Sequence, residues 1–563
     1  MRKPAVAIGL ALFSGTATAQ ATAPEARLAK LADAYVAARM ERDPGMLYDY
    51  RLPAGGSAHE RLADLTPAGQ RKFDRAIDRL SVELGGIDRG RLTGTARIMH
   101  ALLDEELAAT RATRICRMEL WDISHFEGAM PDVQALAAKH PVGTPALRRA
   151  AIARWSAMPR FVDQHISNLK KGMAAGFTVP RPVVERVIAQ LDRTIALGVD
   201  KSPYYSPAVR DGDPRFAGQM RGIVGTAIIP SLKRYRTFLD GTYKPAARES
   251  LGLWALPEGA KCYRGLTRRY TTLDRTPEQL WAMGAARNAA GIAVATRIGR
   301  GRYGISDLSQ ILAKARAEPG EKYATPEAML AEAQAIVARA RTAFVPLFHS
   351  LPSQGVDVRA DPPEMQGSGL PHRLQASSVP GGPATYWVPT HQFQQLPRST
   401  NITASLHEAI PGHMMVAPRA SDAHPLFRMS RAAVFNEGWA QYSETLGDEA
   451  GVRLSDTGRM ILSPVDGRVV LMDIGIHHGG WTGEQAEAFY LGNGGHPRRF
   501  EDLLLRLAAF PAYSIAYDIG KAEILSLRAE AERALGDRFD IRDFHAAVLR
   551  DGPVPLWLLR ENV

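Results

Sequence analysis

His407-Glu408-Ala409-Ile410-Pro411-Gly412-His413 is the stretch on which the reading of this chain turns. Two imidazoles bracket it, and a carboxylate follows the first. A zinc site built on one regular helix places its histidines four residues apart, so only about 40° separates the rings around the axis. Here they are six residues apart. Six residues turn a regular helix through about 600°, leaving the rings about 120° apart on different faces. Pro411-Gly412 resolves the conflict. Proline removes an amide donor and disrupts the preceding turn, and glycine permits unusual backbone. The pattern predicts a bulge or break at 410–412 that returns His413 to the side of His407, in preference to two unrelated histidines flanking a kinked helix.

A third ligand should come from another element. Glu437, in Phe435-Asn436-Glu437-Gly438-Trp439-Ala440-Gln441-Tyr442, fits. The interval leaves room for the rest of a helix, a loop from Pro418 to Pro425 and a returning helix. This segment resembles the NEGFA-type segment that carries the third ligand in zinc aminopeptidases. Three protein ligands leave a fourth zinc position for water, the mark of a catalytic site. Imidazole and carboxylate donors point to zinc among the divalent ions. Glu408 is then the expected general base, taking a proton from the zinc-activated water and passing it to the leaving nitrogen. Glu444 lies two turns beyond Glu437. It either orients a ligand imidazole or is a solvated charge.

Other candidates lie nearer the C-terminus. Tyr517 and His545 could donate to the oxyanion of a tetrahedral intermediate. Lys521 and Arg528 share one helix face and either bind a substrate carboxylate or are solvated. Asp473 and His477, at i and i+4, form either a pair supporting a ligand or a helix-internal hydrogen bond.

His407 to His413, the EGWAxYxE segment from Glu437 to Glu444, Asp473-Ile474-Gly475-Ile476-His477-His478 with Trp481, and Tyr517-Asp518-Ile519-Gly520-Lys521 together resemble the bacterial DUF 885 family. Proteins of that family are similar to zinc carboxypeptidases and oligopeptidases of the HExxH type with a downstream Glu. The resemblance implies a largely helical, zincin-like fold and an exported, metallopeptidase-like activity. It covers most of the chain and is strongest from about residue 380 onward. One local departure is Met414-Met415-Val416, where the family commonly has His-Leu-Gln.

The remaining sequence agrees with export and with a helical body. Arg2-Lys3, the apolar run Ala5 to Phe13 and the small residues Thr16 to Ala19 have the layout of a cleavable secretory signal. That apolar run is too short to span a bilayer. Periplasmic or secreted localisation, with no stable membrane insertion, follows. Cys116 and Cys262 could then pair. Closing so long a loop would be worth about 4–5 kcal/mol in the chain-entropy model. The net charge of +11 is spread along the chain, with no run of Lys/Arg to suggest a nucleic-acid partner.

Helical apolar spacing recurs through 24–250 (Leu28, Leu31, Tyr35 and Val36, for example). Thr276-Pro277-Glu278-Gln279 and Thr325-Pro326-Glu327-Ala328 read as helix starts. The first of these helices should stop at Gly299. Gly299-Arg300-Gly301-Arg302-Tyr303-Gly304 matches GxGxxG but follows a helix, so it is not a dinucleotide site. Ala384 to Val388 reads as a strand, either structural or an edge offered to an extended substrate. The expected fold is mainly α, a zincin-like helical architecture with a small β-sheet next to the metal site. Its expected parts are a signal peptide at 1–19, a helical region at 20–250 and a metal-binding catalytic region at 251–563, with 20–563 as one integrated domain the other option. The expected function is a zinc-dependent hydrolase of short peptides. The alternatives are a zinc hydrolase of a non-peptide amide or ester, and a non-catalytic binding protein on the same scaffold.

Overall fold

The computed structural model describes residues 22–52, 57–362, 371–377, 382–416, 424–430 and 432–563. The signal-like segment and most of the loop from Pro418 to Pro425 lie outside the described residues. The fold is mainly α, with a small three-stranded mixed sheet.

Helices α1 (Ala23–Arg42), α2 (Pro67–Gly85) and α3 (Gly94–Thr113) pack on one another near the N-terminus. Their apolar stripes, with Leu28, Leu31, Tyr35, Ile77, Leu80 and Leu103, close one core. A larger core runs from Ala101 to Leu559 and holds Trp155, Tyr263, Trp439, Tyr442 and Ile519. A disulfide between Cys116 and Cys262 joins the end of α3 to α4 (Gly259–Thr271), with Cα atoms 4.7 Å apart. The next helix, α5 (Pro277–Tyr303), opens with the expected reciprocal cap. Thr276 Oγ accepts from the Gln279 N–H, and the Gln279 side chain accepts from the Thr276 N–H. It does not stop at Gly299. The helix continues to Tyr303 and ends where Gly304 adopts φ +69°, so Gly299 is an interior residue packed on Ile311.

Helix α6 (Pro326–Ala343) carries the sheet. Strands β1 (Val356–Ala360), β2 (Arg373–Gln375) and β3 (Ala384–Val388) lie in the order β1-β3-β2. The β1–β3 pair is parallel, with Val358 opposite Tyr386; β2–β3 is antiparallel, with Leu374 opposite Tyr386. Alternation along β3 buries Ala384, Tyr386 and Val388. Tyr386 and Val388 pack with Met329, Ala333 and Val337 of α6. The expected strand exists, but it is central. Both of its edges are already paired, so it has none to offer a substrate.

Five further helices frame the site: α7 (Arg398–Glu408), α8 (Ala433–Thr445), α9 (Arg468–His477), α10 (Phe500–Ala509) and α11 (Ile515–Leu535). A sixth, α12 (Ile541–Leu549), backs α8 through His545. Helices α8 and α11 cross backbone against backbone at Gly438 and Gly520. A Cβ on Gly438 would stand 2.4 Å from the Gly520 Cα. Only two residues without side chains allow this approach. It sets Glu437, the neighbour of Gly438, and Tyr517, one turn before Gly520, on adjoining parts of the two helices.

Candidate metal centre

Helix α7 delivers His407 and Glu408 in its last turn and then ends. The final helical bond runs from the Ala409 N–H to the Ser405 carbonyl at 3.2 Å. The Ile410–Pro411 peptide is cis, and a short 3₁₀ turn begins at His413. The Gly412 N–H folds back onto the Leu406 carbonyl at 3.0 Å. A Cβ on Gly412 would lie 1.9 Å from the His407 carbonyl oxygen. Glycine is thus required here for space, and its φ of −76° is ordinary. Trp439 of α8 is buried and donates its indole N–H to the Pro411 carbonyl at 2.9 Å, tying the break to the helix that carries Glu437. The chain is broken at 410–412 as the spacing of the histidines demands. The helix ends there instead of absorbing a bulge and continuing.

The break turns both imidazoles to one point. The two rings are perpendicular, with centroids 4.8 Å apart. Glu437 Oε2 lies 3.4 Å from His407 Nε2 and 3.5 Å from His413 Nε2. Donors about 2.0–2.1 Å from a tetrahedral ion are separated from one another by about 3.4 Å. Two of the three edges, those from Glu437 Oε2, therefore have the spacing expected between corners of such a site. Glu408 is also close, with donor atoms of His407, Glu408 and His413 all within 4.8 Å of one another. The Glu437 distances match the tetrahedral edge, and Glu408 takes a hydrogen bond from the Leu374 N–H.

The electrostatics follow from burial and from the crowding of charge. Burial disfavours a charged His407, but hydrogen bonds to Glu437 and Glu444 outweigh it and raise its pKa to about 10. Burial, with His407 beside it, lowers His413 to about 4. Burial raises Glu408 to about 7, opposed by His407 and reinforced by Glu437. Glu437 is held below the ordinary carboxylate range: burial pushes it up, but His407, His413 and Tyr517 outweigh that. Glu444 Oε1 is 2.9 Å from His407 Nδ1, which fixes that ring with Nε2 toward Glu437. Of the two readings for Glu444, the orienting one is the geometry found.

Tyr517 belongs to this cluster. Its ring lies parallel to that of His407 at 6.3 Å, and its hydroxyl stands next to Glu437. His545 does not belong. It is fully buried behind α8, its Nδ1 against the Leu347 carbonyl at 2.8 Å and its Nε2 against the Tyr442 hydroxyl at 2.9 Å. With both nitrogens engaged and its pKa lowered to about 4 by burial, it has no donor to offer a substrate. Lys521 and Arg528 are also committed. Lys521 forms a two-pronged pair with Asp466 at 2.9 and 3.0 Å. Arg528 pairs with Glu449 at 2.7 Å and Glu532 at 2.9 Å. Neither is free to take a substrate carboxylate.

Asp473 and His477 bond neither each other nor the cluster. Asp473 accepts from the Tyr263 hydroxyl at 2.6 Å and from the Ala512 N–H at 3.1 Å. His477 accepts from the Leu253 N–H at 3.2 Å and meets the Leu507 carbonyl at 3.0 Å. Both are fully buried braces between distant segments.

Several participants carried no pattern signal. The Leu374 N–H on Glu408 is a backbone donor and could belong to any residue type. His372 is buried beside it. Its Nδ1 is 2.7 Å from the Tyr386 hydroxyl and, among the described residues, its Nε2 has no partner. Tyr513, one turn before Tyr517, and Arg506 adjoin the Tyr517 hydroxyl. The i, i+4 spacing of Tyr513 and Tyr517 was the one available hint of a shared face.

A family model described as "Bacterial protein of unknown function (DUF885)" matches residues 50–563, and the chain belongs to that family. No curated protein matches it. Two solved structures share the fold. One is described as "the putative lipoprotein from Colwellia psychrerythraea", 20% identical, covering 96% of this chain and 98% of that one, with a TM-score of 0.86. The other is "a putative lipoprotein of unknown function from Shewanella oneidensis", 17% identical, covering 95% and 99%, with a TM-score of 0.77.

Proposed function

We propose that this DUF885 chain is an exported zinc-dependent hydrolase that cleaves short peptides. The observation that carries the reading is the donor triangle of His407 Nε2, His413 Nε2 and Glu437 Oε2, with edges from Glu437 of 3.4 and 3.5 Å. A zinc ion held by these residues would supply Lewis acidity at a position left open to water and substrate. Glu408 accepts the proton of the attacking water and returns it to the leaving nitrogen. The Leu374 N–H keeps one of its oxygens in place. Glu444 fixes the tautomer of His407. Tyr517, half-buried and kept protonated at neutral pH because burial raises its pKa far above the ordinary value, donates its O–H to Glu437 in this structure and turns it to the developing oxyanion when substrate is bound.

Three observations support export. The N-terminus has the layout of a secretory signal. The Cys116–Cys262 bond suits an oxidising compartment. Both fold relatives carry the description "putative lipoprotein". No helix among the described residues is long and apolar enough to cross a membrane.

The test is metal analysis of the purified protein, with hydrolysis of a peptide panel by the native chain and by Glu408→Gln. Expected are about one zinc per chain and peptide turnover abolished by chelation. The variant should keep its zinc and lose about 10²–10⁴-fold in kcat. Turnover that survives both chelation and the substitution would overturn the proposal.

A further inference from the structure

We propose that the outer edge of β1 is the surface through which two copies of this chain join, their β1 strands antiparallel and in one register, with Val358 facing the partner's Val358 across a two-fold axis.

The backbone leaves this edge open. β1 ends the strand order β1-β3-β2, so only one of its sides is paired. The Ala384 N–H bonds the Gly355 carbonyl and the Asp361 N–H bonds the Val388 carbonyl, both at 3.0 Å. Residues 355 and 361 therefore turn their backbone groups toward β3. With a period of two, 357 and 359 do the same, while Val356, Val358 and Ala360 turn theirs outward. Among the described residues a single group bonds those outward atoms. Gln334 Nε2 of α6 donates to the Val358 carbonyl at 3.2 Å, where the N–H of an added strand would stand.

The edge is reachable and held in place. Between it and α6 lies a groove of about 540 Å³, whose helical wall is Gln334, Val337, Ala338 and Arg341. Arg341 donates to the Pro352 and Gln354 carbonyls and so ties the start of β1 to α6. Val356 and Val358 pack against the core that α6 shares with the sheet. Asp357 and Arg359 leave on the opposite face.

An edge is guarded against a second strand by proline, by a bulge or by charges that repel. β1 contains no proline, and its register with β3 is unbroken. Its two charges have opposite signs, and their order selects the partner. In an antiparallel pair centred on Val358, that residue exchanges both backbone bonds with the partner's Val358, and Val356 does so with the partner's Ala360. Asp357 then falls opposite the partner's Arg359, and Arg359 opposite the partner's Asp357, in the pairs whose side chains lie closest. A parallel pairing would instead set like charges side by side. In the single chain Arg359 reaches back to Asp357 at 2.7 Å, with the two side chains 60% and 43% exposed. An ion pair so open to water is worth little, so little is lost when each turns to the partner. The other edge of the sheet, β2, lies against Glu408. β1 is two strands away from it, about 10 Å, so the pairing draws on no residue of the metal centre.

The test is analytical sedimentation of the purified chain over a range of concentrations, with amide hydrogen exchange read at β1. Expected are a monomer–dimer equilibrium in the micromolar range and protection of the Val356, Val358 and Ala360 amides that grows with concentration. Asp357→Arg places like charges opposite each other and should weaken the dimer at least about 30-fold. Adding Arg359→Asp restores opposite signs and should bring the dissociation constant back to within about threefold of the native value. Val358→Pro removes an outward N–H and spares the bonds to β3, so it should abolish the dimer in a chain that still folds. Thermal melts check the fold of each variant. A chain still monomeric at about 100 µM would overturn the inference. So would a dimer unchanged by Asp357→Arg or by Val358→Pro in a folded variant, or a double variant no tighter than Asp357→Arg alone. A monomer whose β1 amides are protected by added peptide would also overturn it, and would give the edge to an extended peptide.

Discussion

Two clusters in this molecule use the same side-chain types to opposite ends. His407, His413 and Glu437 bring their donor atoms together, Glu437 Oε2 lying 3.4 and 3.5 Å from the two Nε2 atoms, with His413 and Glu437 still 21% and 16% exposed. Asp473, His477 and Tyr263 are fully buried, and each polar atom ends on a protein partner. Regular geometry produces the second arrangement. Residues at i and i+4 of α9 leave on one face and brace whatever packs there. Broken geometry produces the first, because the chain must stop being a helix at 410–412 for His413 to face His407. A histidine and a carboxylate on a helix are therefore no sign of chemistry by themselves. Donor atoms brought to one point by a break in the helix are.

The comparison can be broken most severely at Gly438. A methyl there meets the Gly520 backbone, so Gly438→Ala must force α8 and α11 apart. The expected loss is above about 4 kcal/mol in chemical denaturation, with zinc content falling because Glu437 moves. Next is the closed cluster. Burial raises the Asp473 carboxyl to about 7, above an unfolded value of about 3.9. The folded chain thus holds this proton where the unfolded chain has lost it, and stability falls as pH rises from about 4 to about 7, by an order of 4 kcal/mol in total. Asp473→Asn should flatten that slope in melts across this range while zinc stoichiometry stays at one.

Smaller effects sharpen the contrast. Glu444→Gln removes the charge behind His407 and should weaken zinc binding about 10–100-fold in a chelator competition. His545→Gln should cost about 1–2 kcal/mol of stability by disturbing the contacts with Tyr442 and Leu347. The same variant should change kcat/KM by less than about threefold, since His545 has no open face toward the centre.

What the sequence made legible follows one rule. The helix break was readable because the six-residue spacing contradicts helical period and Pro411-Gly412 supplies the remedy. Glu437 was readable because a motif carried it. The caps at Thr276 and Thr325 were readable because capping is local. Pairings between distant elements were not. Lys521 looks like a free cation until Asp466 arrives from 55 residues away, and Arg528 until Glu449 arrives from 79. His545 reads as a donor until Leu347 and Tyr442 occupy both of its nitrogens. The Leu374 N–H has no side chain to announce it. The strand at Ala384–Val388 was legible, but its central place depends on β1 and β2 pairing on either side.

The most direct test of the central claim is diffraction from zinc-loaded crystals on both sides of the zinc absorption edge. The account predicts one anomalous peak about 2.0–2.2 Å from His407 Nε2, His413 Nε2 and a Glu437 oxygen, with Glu408 outside bonding distance. A peak ligated by Glu408 with Glu437 turned away, or no peak between the two imidazoles, would contradict it.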